Sequence, residues 1–400
     1  MVSNPLTIGI VVGTFGLLFV RRVGEVPLDR PVTAAFGAVV VAIGAISPSE
    51  ALASVHVDTL LLLFGMMVHV EALSMSGFYR WIGSTLVTRL RTTRRLVLGT
   101  LLVAAGLSAI ALNDATVLLL TPILVRAVDR LGIDPTGPLL AVVFGANVGS
   151  VATPLGNPQN AYILSRSGLS TAEFVGALAP LAAVCLVITA LVLVAITEDR
   201  RMTRPEADPV STPDLDGRWA RLSGGFLLAT LGLLLATPEI APGVIAAGLG
   251  IGHVATLQVV RRVPGTDVVD RIDWGILVLF AGMFVLVGSL SGTVVEAALG
   301  RLDGPLTLAA GTFVLSNVVS NVPAVILLAE TTTGEGQWLL LAAVSTLAGN
   351  ATPIGSAATL IVLESAAQRG VSLSVVRLVA VGAPIALVTS GIAVGWLLVL

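Results

Sequence analysis

Polar residues interrupt two long apolar segments, and their types could bind a small solute or an ion. In segment 96–128 the break is Asn113-Asp114, and in segment 305–329 it runs from Ser316-Asn317 to Ser320-Asn321-Val322-Pro323. Amide, hydroxyl and carboxylate groups hold small anions through hydrogen bonds and cations through oxygen atoms. Irregular backbone at membrane depth is tolerated only where it is buried in protein or lines a cavity. The two breaks therefore predict a binding site.

Two further motifs place prolines among amides and glycines. The first runs from Thr153-Pro154 to Gln159-Asn160 and follows Asn147, and the second runs from Asn350 to Ser356. Proline removes a helix hydrogen bond and frees carbonyl groups, and glycine lets the backbone approach a ligand closely. Each motif predicts a broken membrane helix. The residues that we expect to bind substrate or ion are Asn113, Asp114, Thr116, Thr153, Pro154, Gly156, Asn157, Asn160, Asn317, Asn321, Asn350, Thr352, Pro353, Gly355, Ser356 and Thr359.

Asp114 is the only acidic residue at either hairpin tip, since Val322 occupies the corresponding position of the second half. A carboxylate this deep in an apolar segment is costly and marks a functional site. Such a group either binds a cation or carries a proton. The sequence therefore predicts that Asp114 is the coupling residue for H⁺ or Na⁺, with a Na⁺ site near Asn113, Asp114 and Asn157, and that no other cofactor is needed.

The elements that position these motifs are membrane helices. Of the 400 residues, 55% are hydrophobic and 12% are charged, and the mean hydropathy is +0.98. Soluble domains carry about 25% charged residues, so this composition excludes a soluble enzyme or nucleic-acid-binding protein. Apolar blocks of about 17–25 residues favour helices over an outer-membrane barrel. The prediction is an all-α polytopic membrane protein with about ten transmembrane helices and two re-entrant hairpins. The crossings are 5–20, 31–46, 57–75, 138–163, 173–196, 220–236, 241–260, 274–291, 337–363 and 372–398, and the hairpins are 96–128 and 305–329.

Arginine placement orients this scheme. All 22 basic residues are arginines, and 20 of them fall on one side, which leaves Arg166 and Arg301 on the other. Because cytoplasmic loops carry an excess of positive charge, the arginine-rich side is assigned to the cytoplasm. Counting either hairpin as a crossing would destroy this separation. We therefore expect a multi-pass protein of the cytoplasmic (inner) membrane with both termini outside.

Three sequence matches in the same order relate the two halves of the chain. Ala152–Asn157 recurs as Ala351–Ser356, Asn113 aligns with Asn321, and Asp58 aligns with Asp273. Each half has five crossings, an odd number, so the second half must enter the membrane upside down. We predict a first inverted repeat over 1–197, a cytoplasmic linker over 198–219 and a second inverted repeat over 220–400. Paired broken helices in inverted repeats are typical of alternating-access secondary transporters.

The remaining ionisable residues suggest simpler roles. His69 and Glu71 lie within two turns of the cytoplasmic end of their segment, which favours a solvated or snorkelling role. His253 is alone in a glycine-rich segment, which favours an interfacial or packing role. The arginine-rich run 89–95 is typical of an interfacial helix that faces anionic lipid and not of a nucleic-acid site. No His-Glu-x-x-His spacing occurs, and we expect no enzymatic activity.

Taken together, the four motifs resemble the ion transporter superfamily. They read Asn113-Asp114-Ala115-Thr116, Thr153 to Asn160, Ser320-Asn321-Val322-Pro323 and Thr352 to Thr359. The chain looks most like the arsenite permease and NhaD-type permease branch, with the small anion permeases beside it, and is related to divalent anion/sodium symporters. This resemblance implies a scaffold domain and a transport domain that moves by an elevator mechanism, usually in a homodimer. Departures from the symporter motifs at both hairpin tips disfavour citrate or a dicarboxylate.

The leading functional hypothesis is a secondary active transporter of a small anion or oxyanion, arsenite among them, coupled to H⁺ or Na⁺. Its expected partners are a small inorganic or organic anion, the lipid bilayer and a second copy of the chain, with no nucleic acid. A Na⁺/H⁺ antiporter of the same architecture is the first alternative, and Asp114 favours it. An anion channel is the alternative from another class, because it fits a charge-free pore equally well.

Overall fold

The computed structural model describes residues 5–19, 22–23, 26–27, 29–44, 46–202 and 214–399, and most of these are helical. Between the first two helices lies a pair of two-residue antiparallel strands, β1 (Arg22–Val23) and β2 (Val26–Pro27). The first ten helices are α1 (Pro5–Phe19), α2 (Arg30–Gly44), α3 (Pro48–Ala53), α4 (Val57–Met75), α5 (Phe78–Arg89), α6 (Thr93–Ile110), α7 (Asn113–Leu131), α8 (Thr136–Ser150), α9 (Pro158–Ser167) and α10 (Thr171–Ile196). The next ten are α11 (Gly217–Ala236), α12 (Pro242–Arg261), α13 (Gly265–Val269), α14 (Trp274–Gly288), α15 (Val294–Leu299), α16 (Pro305–Val319), α17 (Asn321–Ala329), α18 (Glu335–Ala348), α19 (Ala357–Ala367) and α20 (Val375–Val399).

Several of these helices have the length and composition of membrane spans. Among the described residues, six helices are long and apolar enough to cross a bilayer, namely α4, α6, α10, α11, α12 and α20. Shorter apolar helices include α1, α2, α8, α14, α16 and α19. The expected helical membrane fold is confirmed, whereas the count of ten crossings stays a prediction.

Both predicted hairpins are pairs of helices that pack against each other. The arms α6 and α7 are separated by two residues, and α16 and α17 by Ser320 alone. Ser320 has φ +69°, in the left-handed region that favours glycine, so this turn holds backbone strain. The segments 138–163 and 337–363, read from sequence as single broken crossings, are the pairs α8/α9 and α18/α19. Residues 151–157 separate the first pair, and 349–356, with a 3₁₀ turn at Pro353–Gly355, separate the second.

Helices follow one another in the same order in the two halves, and equivalent helices pack alike. Helix α4 packs closely on α12, and α14 packs closely on α2. Glycines allow this proximity, because a Cβ atom on Gly65 would overlap the backbone of Ala246, and one on Gly282 would lie 2.7 Å from the backbone of Ala34. Helices α6 and α16 likewise pack on α8 and α18, the helices that precede the breaks.

The segment expected to join the halves, 198–219, is described only at its ends, and residues 203–213 lie outside the described part. Its start pairs with the loop before α6, where the Met202 amide donates to the Arg91 carbonyl at 3.0 Å. Its end lies against the end of α4, where the Asp216 amide donates to the Ser76 carbonyl at 3.0 Å. Asp216 then caps α11 through its carboxylate.

The expected solvated role of His69 is wrong. Its side chain is 0% exposed and hydrogen-bonds to His253, which is also 0% exposed. Proximity to a helix end did not predict exposure, because α11 and α12 cover this face of α4.

Candidate functional site

Asn147, which lies just before the first break, is hydrogen-bonded to the second break and to the first hairpin tip. It lies in the last turn of α8, and its Nδ2 donates to Oδ1 of Asn350, just after α18, at 2.9 Å. Its Oδ1 accepts from Oγ of Ser356 at 3.0 Å and from Nδ2 of Asn113 at 3.4 Å. One buried amide just before the first break therefore contacts the second break twice and the first hairpin tip once.

Two equivalent hydrogen bonds link each break to the helix that precedes the other break. Asn157 donates from Nδ2 to Oγ1 of Thr346 at 3.2 Å, and Ser356 donates to Asn147 as described above. The two bonds correspond, because Ser356 and Thr346 each lie 199 residues after their counterparts Asn157 and Asn147. The structure thus places the two Thr-Pro motifs side by side with a symmetric pattern of contacts.

Each threonine of the Thr-Pro motifs holds its own hairpin. Thr153 Oγ1 donates to the carbonyl of Ala109, and Thr352 Oγ1 donates to Oδ1 of Asn317 at 2.8 Å. Both acceptors lie near the ends of the first hairpin arms. In the first half, the backbone amide of Asn113 also donates to the Gly156 carbonyl at 2.8 Å. Hairpin tips and helix breaks therefore converge in both halves.

Lack of space for a Cβ atom explains the glycine in each motif. A Cβ atom on Gly156 would overlap the backbone of Ser150 and lie 2.8 Å from the Ser108 carbonyl oxygen. A Cβ atom on Gly355 would lie 2.8 Å from Oδ1 of Asn317. A larger residue at either position would push the break away from its hairpin.

The hairpin tips share one local arrangement. Oδ1 of Asn113 accepts from the Asp114 amide, and Oδ1 of Asn321 accepts from the Val322 amide, both at 2.9 Å. Asp114 is half-buried in the first turn of α7, and Thr116 is buried in the same turn. In each hairpin, the asparagine side chain at the tip therefore holds the first backbone amide of the second arm.

Several buried polar atoms around this centre have no hydrogen-bond partner among the described residues. They are Ser108 Oγ, Thr116 Oγ1, Gln159 Oε1, Asn160 Oδ1, Ser316 Oγ, Asn350 Nδ2 and Thr359 Oγ1. Asn160 and Thr359 are repeat equivalents, and so are Ser108 and Ser316. An unsatisfied buried polar group costs about 1–3 kcal/mol, so a cluster of them marks a place where a solute, ion or water binds.

The two breaks differ in exposure. Thr153 and Pro154 are buried, whereas Thr352 and Pro353 are half-buried and Ile354 is 42% exposed. The first break is therefore enclosed by protein, and the second lies at the edge of the cluster. In the described part of the chain, no group of three or more His, Cys, Asp or Glu side chains converges on a metal-sized position.

Four residues of this network were not on the list of expected site residues, namely Asn147, Ser150, Gln159 and Thr346. Thr346 accepts from Asn157 and from Gln159, both at 3.2 Å, and Ser150 Oγ accepts from Asn157 at 3.1 Å. Thr346 was detectable, since it lies 199 residues after Asn147 and so occupies the equivalent position. Gln159 lies within the first Thr-Pro motif but lacks an equivalent amide in the second half.

Comparison with known proteins indicates the class of this molecule. The family model described as "CitMHS: Citrate transporter" matches residues 16–348. An uncharacterized transporter of Mycobacterium tuberculosis (strain ATCC 25618 / H37Rv) is 30% identical over 350 residues, which cover 79% of this chain and 80% of that protein. The silicon efflux transporter LSI3 of Oryza sativa subsp. japonica is 28% identical over 433 residues, which cover 88% of this chain and 89% of the relative.

Two further similarities extend over most of the chain. The inner membrane protein YbiR of Escherichia coli (strain K12) is 30% identical over 329 residues, which cover 81% of this chain and 83% of the relative. Among solved structures, the YdaH transporter of Alcanivorax borkumensis superposes with a TM-score of 0.57 at 15% identity, covering 98% of this chain and 97% of that one. At this identity the superposition shows a shared fold.

Proposed function

Because the chain belongs to the CitMHS citrate transporter family, we propose that it is a secondary active transporter of a small anion or oxyanion, coupled to H⁺ or Na⁺. The observation that supports this most directly is that several buried polar atoms of the hairpins and breaks have no hydrogen-bond partner in the described part of the chain. These are amide and hydroxyl groups, which recognise a small polar solute by hydrogen bonds.

The anion is proposed to bind at the start of α19. Ser356 precedes this helix but gives its hydroxyl to Asn147, so no side-chain bond caps the first turn. Free amides at a helix N-terminus attract negative charge. Thr359 Oγ1 and Asn350 Nδ2 have no hydrogen-bond partner among the described residues, so they offer two further donors for the anion.

The coupling ion is proposed to bind in the first half. Oδ1 of Asn160 and Oε1 of Gln159 are buried acceptors without partners among the described residues, and both suit a cation or a proton donor. Asp114 supplies the carboxylate, as a Na⁺ ligand together with Asn113 and Asn157 or as the carrier of a proton. Acceptors in one half and donors in the other explain how solute and ion can be bound side by side.

Arsenite, silicate and citrate are the solutes to test first. The family description names citrate, and one relative is a silicon efflux transporter. The only cysteine, Cys185, is buried within α10, so arsenite would be recognised through hydroxyls and amides and not through thiolates. Oxyacids with several hydroxyl groups match a lining of this kind.

The transport cycle is proposed to be an elevator movement within a homodimer. In this scheme the hairpins and broken helices move with the solute against a scaffold that contains α2, α4, α12 and α14. The matching packing of α4 on α12 and of α14 on α2 supports an inverted repeat over 1–197 and 220–400, joined by a cytoplasmic linker over 198–219. Both termini then lie outside the inner membrane.

Gradient-driven uptake into proteoliposomes tests this function. Purified protein is reconstituted and offered each solute under an inward H⁺ gradient, an inward Na⁺ gradient or no gradient. We expect one solute to accumulate above its external concentration under one gradient only. Thr359→Val should weaken solute binding. The control is Thr189→Val, which should leave binding unchanged, because Thr189 is a buried residue of α10 whose hydroxyl bonds a carbonyl of its own helix.

Two alternatives predict different results. A Na⁺/H⁺ antiporter would exchange Na⁺ for H⁺ without any anion, and Asp114 favours this activity. An anion channel would pass solute only down its gradient. Accumulation of an anion against its electrochemical gradient, with the membrane potential held at zero, contradicts both.

A further inference from the structure

Two buried histidines form a hydrogen-bonded chain outside the candidate site. Nδ1 of His69, on α4, lies 3.1 Å from Nδ1 of His253, on α12. Nε2 of His69 lies 2.8 Å from Oγ1 of Thr230, and Nε2 of His253 lies 2.9 Å from Oγ of Ser223, both on α11. All four side chains are 0% exposed. The chain therefore connects three helices through four polar groups.

One arrangement of hydrogens satisfies every member of this chain. The Thr230 hydroxyl donates to the Phe226 carbonyl at 3.0 Å, so its oxygen accepts from Nε2–H of His69. Neutral His69 then has a bare Nδ1, which accepts from Nδ1–H of His253. Nε2 of His253 in turn accepts from the Ser223 hydroxyl. The neutral pair thus contains two bare ring nitrogens, one of which faces a hydroxyl that can rotate.

We propose that the His69–His253 pair is a proton-binding site that takes up one proton. The proton binds at Nε2 of His253, and Ser223 rotates so that its oxygen accepts. The three N–H groups of the charged pair then have three acceptors, namely Ser223 Oγ, Nδ1 of His69 and Thr230 Oγ1. The Phe226 ring stacks on His253 with centroids 4.6 Å apart and an interplanar angle of 11°, which stabilises a cation on that ring.

A second proton is excluded by the same geometry. It would place a hydrogen on both Nδ1 atoms, which are only 3.1 Å apart, so two donors would face each other. Charged side chains on the neighbouring helices either have partners of their own, as Asp58 of α4 does with the Gly243 amide, or are exposed, as Arg218 of α11 is. On α4, Glu71 interacts with Arg271 and Asp273, and on α11, Arg221 donates to the Gly217 carbonyl. Arg261 of α12 pairs with Asp216, and Arg166 of α9 pairs with Glu330. Asp267 of α13 is exposed.

Nitrogen NMR of histidine-labelled protein in lipid nanodiscs tests the proposal, because the chain has only three histidines. Between pH 8 and pH 4 we expect the bare-nitrogen signals of the pair to fall from two to one, with the last one persisting. His69→Asn removes the Nδ1 atom that accepts from His253. The proton concentration needed to protonate His253 should therefore rise roughly tenfold or more. His56→Asn, which changes the third histidine, should leave the loss of one signal unaltered.

Two results would overturn the proposal. If both bare-nitrogen signals persist at pH 4, the pair is a neutral structural bond, and if both disappear, the rings titrate independently. Any effect of His69→Asn on the pH dependence of solute uptake rests on the proposed transport function, whereas the NMR result does not. A protein that binds this proton but accumulates no solute would refute the transport function and leave the proton site in place.

Discussion

Asn147 and Asn350 are joined by a 2.9 Å hydrogen bond between their buried side-chain amides. The two residues lie at the ends of α8 and α18, the helices that precede the two breaks, so this bond fixes the distance between the halves at their centre. It also leaves Nδ2 of Asn350 with unused donor capacity beside the start of α19.

Replacing Asn147 should destabilise the protein as a whole. Asn147→Leu leaves Asn350, Ser356 and Asn113 without their shared partner, and buried groups left unpaired lower the free energy of unfolding by about 1–3 kcal/mol. Thermal unfolding in detergent measures this loss. Thr189→Val is the matched control, since its hydroxyl bonds only a carbonyl of its own helix and its removal should be nearly neutral. Equal unfolding temperatures for the two variants would contradict a structural role of the central bond.

Adding one methyl group to the first break should separate it from the hairpin. In Gly156→Ala the new Cβ would overlap the Ser150 backbone and lie 2.8 Å from the Ser108 carbonyl oxygen of the first hairpin arm. We therefore expect a loss of about 1–3 kcal/mol in stability, as for other overpacked sites, together with loss of solute uptake. Gly106→Ala is the control in α6, where a Cβ atom meets nothing within 4 Å. An active and stable Gly156→Ala protein would show that the break and the hairpin are not held in contact.

The proline of the first break should matter more for transport than for folding. Pro154→Ala restores an amide hydrogen and favours continuation of the helix, so the carbonyls of the break lose their irregular geometry. We expect the protein to fold and solute uptake to fall roughly tenfold or more. A tenfold change in solute binding corresponds to about 1.4 kcal/mol. Pro180→Ala, within the regular helix α10, should retain uptake. Full transport by Pro154→Ala would remove the need for an unwound segment at that position.

Asp114 should connect transport to the ion gradient. Asp114→Asn keeps the shape of the side chain and deletes its charge, so we expect gradient-driven accumulation to be abolished while passive exchange can survive. Counterflow and gradient-driven uptake are compared in the same proteoliposomes. The control is Asp134→Asn, an exposed acid in the α7–α8 loop that pairs with Arg377. Unchanged accumulation in Asp114→Asn would assign coupling to the backbone carbonyls of the breaks.

The sequence alone located the breaks and hairpins, because prolines, glycines and polar residues act locally on an otherwise apolar helix. Thr153-Pro154 and Thr352-Pro353 end one helix and precede another wherever those helices pack, and Asn113 and Ser320-Asn321 start new helices for the same reason. The membrane class likewise follows from composition, which is independent of tertiary structure.

Only the tertiary structure decided which of these groups meet. Asn147 bonds to Asn350 and His69 bonds to His253 because α8 packs beside α18 and α4 packs on α12, and spacing along a chain does not specify such contacts. The sequence therefore left His69 with an incorrect solvated role and omitted Thr346 from the expected site. Exposure of the second break and burial of the first depend in the same way on neighbouring helices, whose packing is determined by side-chain shape across hundreds of residues.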